Sequence, residues 1–208
     1  MKKTEMTFVA TIEAVNDQPV GPRATLASFR DGGGKNPGFQ FTRYYWEGEG
    51  TRDGILSSFE AKIHFRSATA LRHEVLLPCG ASSEYLDRQL LVSRYDETLP
   101  SYFYDAFAQI KIELDEDKPL HIGYEMVRAY ARRYFVLGMD LPVILVLHAP
   151  AIAGSRNKPH VHIMIPARQL GHNGWGIAAR ELCCDAGHVA ALEAWKTFEL
   201  EWLEKGGL

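Results

Sequence analysis

Disulfide chemistry is the first thing this 208-residue chain lacks: its three cysteines, Cys79, Cys183 and Cys184, are odd in number and two are adjacent. Such a set builds no disulfide framework, so a reducing compartment is expected. Long apolar runs are missing as well. The longest, "LPVILVL" from Leu141 to Leu147, falls far short of the roughly twenty residues that span a bilayer. The opening "MKKTEMTFVATIEAV" has two lysines, but Thr7, Thr11 and Glu13 interrupt its apolar residues, so no signal peptide is read there. There is no excess of positive charge either. A net charge of −3 provides no global basic field for nucleic acid, although it leaves room for a local basic groove. Repeats, low-complexity tracts and long linkers are absent, which favours one domain over two. What is present is 46% hydrophobic residues, enough for a sizeable core in a soluble, cytoplasmic protein.

Periodicity supplies the elements. "TFVATIEAV" (Thr7 to Val15) alternates as a strand does, and a loop rich in Gly and Pro follows, with Gly32 to Gly34 and Pro37. "FQFTRYYWEGEG" fits a short helix or a strand. "SSFEAKIHFRSATALR" reads as a helix capped by Ser57 or Ser58, and "HEVLLP" as a buried strand. "SSEYLDRQLLVSRYDETL" is helical in spacing, whereas "YDAFAQIKIELDEDKP" fits either state. "IGYEMVRAYARRYFVLG" is an amphipathic helix ending at Gly138. "LPVILVLHA" and "HVHIMIPA" are short apolar strands joined by "PAIAGSRNKP", and Val189 to Glu204 forms a last helix. The mixture predicts an α+β domain built around a mainly antiparallel sheet flanked by helices.

Two histidines interrupt the second of those apolar strands. Strand side chains alternate, so His160 and His162 share one face while Val161 and Ile163 take the other. The preceding strand ends in His148. If the two strands pair, three imidazoles meet, a donor set suited to a catalytic divalent ion that keeps open positions. The plainer alternative is a set of hydrogen-bonded core histidines. Other histidine chemistries fit less well. A nucleotide-hydrolase triad would need a third His where Met164 stands, and the H-E-x-x-H helix of a zinc protease is absent.

The stretch "HAPAIAGSRNKPHVHIMIPARQLGHNGWGIAAREL" resembles the metal motif of HUH-type single-strand endonucleases, and more specifically that of MobA/MobL plasmid mobilisation relaxases. The resembling features are a strand ending in His, an Asn-x-Pro loop into H-x-H-I-M, Ala167-Arg168, and a Gly-Trp-Gly turn before a helix. The resemblance covers about thirty-five residues and implies an HUH relaxase-like fold, a ferredoxin- or palm-like single domain over residues 1–208. Residues 81–119 are then expected to be an insertion.

That resemblance also implies an activity: site- and strand-specific nicking of single-stranded DNA through a 5′-phosphotyrosyl intermediate, initiating plasmid mobilisation in conjugative transfer. It implies a divalent metal on His148, His160 and His162, with Mn2+ or Mg2+ first and Zn2+ as an alternative, and no small-molecule organic cofactor. The implied partners are single-stranded origin-of-transfer DNA and accessory mobilisation proteins, in a bacterial, plasmid or mobile-element setting. None of the nine tyrosines follows His162. Relaxases place the nucleophile ahead of the histidines, and "TRYYWEGEG" offers Tyr45, followed as in the family by Glu-Gly, with Tyr44 as runner-up. Glu74 matches an acidic residue expected to orient a histidine or accept a proton, although the family's second acid is Leu76 here. Arg168, Arg43, Lys158 and Arg156 are the candidate phosphate and DNA contacts. Two other readings stay open: a metal-dependent nucleotide or RNA phosphoesterase without a covalent intermediate, and a catalytically inactive origin-binding module.

Overall fold

The computed structural model describes residues 24–32, 36–50, 52, 54–63 and 69–206. The strand expected at Thr7 to Val15 lies outside them. In chain order the elements are β1 (Thr25–Asp31), β2 (Phe39–Glu47), α1 (Ile55–Ile63), β3 (Ala70–Leu76), a 3-10 turn (Ser83–Leu86), α2 (Arg88–Thr98) and β4 (Asp105–Glu113). Next come α3 (Leu120–Ala131), a π turn (Arg132–Val136), α4 (Leu137–Met139), β5 (Val143–His148), β6 (His160–Pro166), the β7 (Arg168–Gly171) and β8 (Gly174–Ala178) hairpin, and α5 (Asp185–Glu204).

Six strands form one sheet in the order β1-β2-β4-β6-β5-β3, and every neighbouring pair is antiparallel. Both ambiguous segments are strands. "FQFTRYYWE" is β2, and the segment that contains β4 is no appendage, because β4 lies between β2 and β6 in the sheet interior. The expected insertion at 81–119 therefore supplies an inner strand. Ile110 and Ile112 on one side of β4 and Phe107 on the other are all buried, which explains why its pattern did not read cleanly as amphipathic.

Helices cover both faces. On one, Val161, Ile163 and Ile165 of β6 pack with Val127, Tyr130 and Trp195 of α3 and α5. On the other, Met164 and Val146 pack with Ile55 and Phe59 of α1 and with Leu91 and Tyr95 of α2. All six residues of β5, "VILVLH", are buried, as expected of a strand with helices above and below. The helix starts differ in how they are capped. α1 starts at Ile55, and the Ser57 and Ser58 hydroxyls donate to the Gly54 carbonyl. α2 is capped by Asp87, whose carboxylate accepts from the Gln89 and Leu90 N–H groups. The helix expected to stop at Gly138 runs one residue further and ends where Asp140 takes the left-handed conformation at φ 55°. Among the described residues, no helix is long and apolar enough to cross a membrane.

Candidate metal centre and its trough

β5 and β6 pair so that His148 lies directly opposite His160, and Val146 opposite His162. All three histidines therefore rise from one end of the sheet on the face covered by α1. Their ring centroids form a triangle of 5.2, 5.2 and 5.0 Å. Three imidazoles around one ion, with nitrogens about 2.1 Å away and ring centres about 3.2 Å away, would have centroids roughly 4.5–5.3 Å apart. The spacing fits; the aim does not yet. Among the described residues, no group of three or more His, Cys, Asp or Glu side chains stands with its donors set to hold an ion. His148 and His160 stack at 13° while His162 stands across both at 85° and 88°. For the nitrogens to converge the rings would have to turn, and χ2 is a soft torsion.

The hydrogen bonding leaves the right atoms free. His160 Nδ1 lies 2.9 Å from the Lys158 carbonyl and donates to it, which leaves Nε2 with its lone pair. His148 Nδ1 bonds the Thr69 hydroxyl at 3.0 Å, and its buried Nε2 has no partner. The buried Nδ1 of His162 has none either. Burial lowers the pKa of all three rings, His148 to about 4 and His162 well below its ordinary value, with nearby Lys62 adding to the effect. Near neutral pH the rings are uncharged and able to donate lone pairs.

Beside the histidines is a cavity of about 480 Å3, lined also by Lys62, Thr69 and Asn157. A second hollow of about 470 Å3 continues from it across the same sheet face, and both are lined by Lys62 and His162. This trough contains Arg30, Lys111, Gln109 and Tyr44. Lys62 comes from α1 and was missed by sequence reading; a single lysine on a helix carries no signal until the helix is docked beside the histidines. Arg30 and Lys111 were missed for the same reason.

The sequence candidates separate sharply. On a strand neighbouring side chains oppose each other, so only one of Tyr44 and Tyr45 can share the histidine face. Tyr44 does: it stacks on Phe107 at 4.1 Å and lines the trough. Tyr45, the expected nucleophile, lies on the opposite face, away from the histidines, and bonds Glu47 at 3.1 Å. Glu74 is also on that opposite face. Arg128 holds it at 2.8 Å and Tyr124 donates to it at 3.1 Å, so it neither orients a histidine nor reaches the trough.

Two of the arginines are likewise engaged elsewhere. Arg43 binds Asp31 through two bonds of 2.8 Å and Asp185 at 2.7 Å, again on the opposite face. Arg168 donates to the carbonyls of Gly176, Thr98 and Trp175, clamping the β7–β8 hairpin onto α2. It opens β7, just past the end of β6 opposite to the histidines. Arg156 and Lys158 are exposed in the loop that leads into His160.

No protein-family model matches the chain, and no curated protein matches it. Its fold is similar to that of a solved structure from a study of the molecular basis of vancomycin resistance transfer in Staphylococcus aureus. The TM-score is 0.55 and the identity 20%, over 67% of this chain and 72% of that one. At that identity the likeness is one of fold. What the two share is an α+β fold, here a six-stranded antiparallel sheet with helices on both faces.

Proposed function

We propose that the protein is a metal-dependent, relaxase-like nicking enzyme that acts on single-stranded DNA, with Tyr44 as its nucleophile. One observation carries the reading: Tyr44 and His162 line the same cation-rich trough. His148, His160 and His162 would hold the divalent ion. That ion would supply Lewis-acid polarisation of the scissile phosphate. Arg30, Lys62 and Lys111 would bring positive charge to a phosphodiester backbone, although Lys111 also pairs with Glu113 at 3.0 Å and burial lowers the Lys62 pKa.

Among the described residues the Tyr44 hydroxyl makes no hydrogen bond that would have to be broken before it attacks. Burial raises its pKa while Arg30 works in the other direction by favouring the phenolate. In the reaction the phenolic oxygen bonds to phosphorus, the bond from phosphorus to O3′ breaks, and the departing oxygen gains a proton to leave a 3′-hydroxyl. A role in starting mobile-element transfer, with accessory proteins at an origin, belongs to this same reading.

The test uses a pool of labelled single-stranded oligonucleotides with Mn2+, resolved on denaturing protein gels. A covalent adduct that EDTA prevents and Tyr44→Phe abolishes is the expected result. An adduct that survives Tyr44→Phe but disappears in Tyr45→Phe sinks the assignment of the nucleophile. Cleavage without any adduct replaces transesterification by hydrolysis. Binding without cleavage reduces the protein to an origin-binding module.

A further inference from the structure

Tyr45 and Arg43 belong to the motif that resembles a nucleophile segment, yet they stand on the sheet face away from the histidines. They line a cleft of about 370 Å3 there, together with Phe29, Tyr104, Asp105 and Asp185. That volume is within the range of small-ligand sites, roughly 300–1,000 Å3. Phe29 is 53% exposed and Tyr104 59%. Neither ring, nor that of Tyr45, packs against another aromatic ring among the described residues. Phe29 and Tyr104 are instead near charge: the Arg43 guanidinium lies 5.4 Å from the Phe29 centroid, and that of Arg52 4.9 Å from Tyr104. Exposed rings flanking one cleft are a stacking surface for a flat ligand.

Asp105 gives the cleft its selectivity. The ladder between β2 and β4 slips between Tyr44 and Tyr45, so that Tyr44 pairs with Phe107 but Tyr45 with Asp105. Such an irregularity re-aims a side chain, and here it brings a carboxylate to the Tyr45 face. That carboxylate accepts no hydrogen bond among the described residues; Arg43 and Arg180 act on it only through their charge. The Arg43 guanidinium is held by Asp31, Asp185 and the Cys183 carbonyl, so it offers a fixed wall rather than a partner for Asp105.

A carboxylate pairs bidentately with two adjacent N–H donors. Among the bases guanine alone presents that pair, at N1 and N2. Adenine and cytosine oppose one donor and one acceptor to it, and thymine one donor between two acceptors. We infer that this cleft is a second binding site, one that takes guanine, with the base stacked on the exposed rings and read by Asp105. The guanine comes from a free nucleotide or from a single strand. Phe29 sits on β1 between Ser28 and Arg30, which line the trough on the other face. A strand leaving the trough over β1 would therefore meet the cleft.

The inference is independent of the nicking reading, and its test involves no catalysis. Calorimetric titration in EDTA with guanosine, adenosine, cytidine and thymidine 5′-monophosphates should show guanosine bound most tightly. Tyr104→Ala should weaken it about tenfold, the loss of one stacking partner. Asp105→Asn should remove the preference for guanosine while retaining general base binding. An oligothymidylate with one central guanine, compared with all-thymidine, separates the sources: tighter binding of the former assigns the cleft to a strand, and equal binding to free nucleotide. Absence of guanosine binding at millimolar concentration overturns the inference. So does binding that neither substitution changes.

Discussion

Tyr44 and Tyr45 are consecutive in the chain and have opposite surroundings. On the histidine face, Tyr44 shares a trough with Arg30, Lys62, Lys111 and uncharged imidazoles, two of whose buried ring nitrogens have no partner. On the other face, polar groups are largely paired. Glu74 is gripped by Arg128 and Tyr124, Arg43 by Asp31 and Asp185, and Arg133 by Glu201 at 2.6 Å. Groups already satisfied within the fold are poor candidates for chemistry, because a substrate would have to displace good hydrogen bonds. Unsatisfied ones are costly to maintain and reward a ligand. The contrast lies in spare hydrogen-bonding capacity, which the proposed site has and most of the other face lacks.

The most direct way to break this contrast is at Tyr44. Tyr44→Phe keeps the ring on Phe107 and removes only the oxygen. Adduct formation should fall at least a hundredfold, as a nucleophile's loss demands, with thermal stability unchanged by circular dichroism. A variant that retains adduct formation would erase the distinction between the faces.

Protonation of the trio offers the next test. Burial holds the three rings below the ordinary value of 6.5, His148 at about 4. In metal-free protein the unfolded chain takes up these protons as pH falls through 6.5, while the folded chain does not. Stability present above pH 6.5 is therefore lost progressively toward pH 4. Urea midpoints measured across that window should fall in the wild type, and His162→Leu should flatten the decline. A wild-type protein equally stable at pH 7 and pH 4.5 would show that the rings are not buried as described.

The cations of the trough give a smaller effect. Arg30→Gln or Lys111→Gln should weaken single-strand binding severalfold and lower the salt dependence by about 0.7 in slope, one phosphate contact each. An unchanged slope in both variants would mean that the strand runs elsewhere.

Much of this was legible in the sequence, for reasons that depend on locality. His160 and His162 could be assigned to one face because strand periodicity is a local property. His148 could be added on the condition that two apolar strands joined by one loop, Ala149 to Pro159, pair with each other. The sequence could not choose between Tyr44 and Tyr45. That choice rests on whether "FQFTRYYWE" is a strand and on which of its faces meets the histidines, both decided by pairing with β4 more than sixty residues later. β4 itself was hidden because burial on both sides erases alternation. That Arg168 and Glu74 lie away from the histidines could not be read either, because a motif match carries no information about partners, and in this fold those partners come from α2, the β8 backbone and α3.

The last contrast is a small one at Glu74, and its sign can be worked out. Burial tends to raise the carboxyl's pKa, but Arg128, Tyr124 and Arg72 outweigh it, so the group titrates below its ordinary 4.5. A depressed carboxylate contributes stability that is present above the unfolded value and lost as pH falls through the folded one. The side chains of Arg128 and Glu74 are 32% and 21% exposed, so solvent screens the pair and holds its contribution near the surface value, about 1 kcal/mol. Glu74→Gln should therefore cost about that much at pH 7, and wild type and variant should converge well below pH 4.5, where Glu74 is itself protonated. Adduct formation by the variant should match the wild type, because Glu74 is held by Arg128 and Tyr124 on the face away from Tyr44. A variant of normal stability that forms no adduct would return Glu74 to the chemistry and leave the division between the two faces without support.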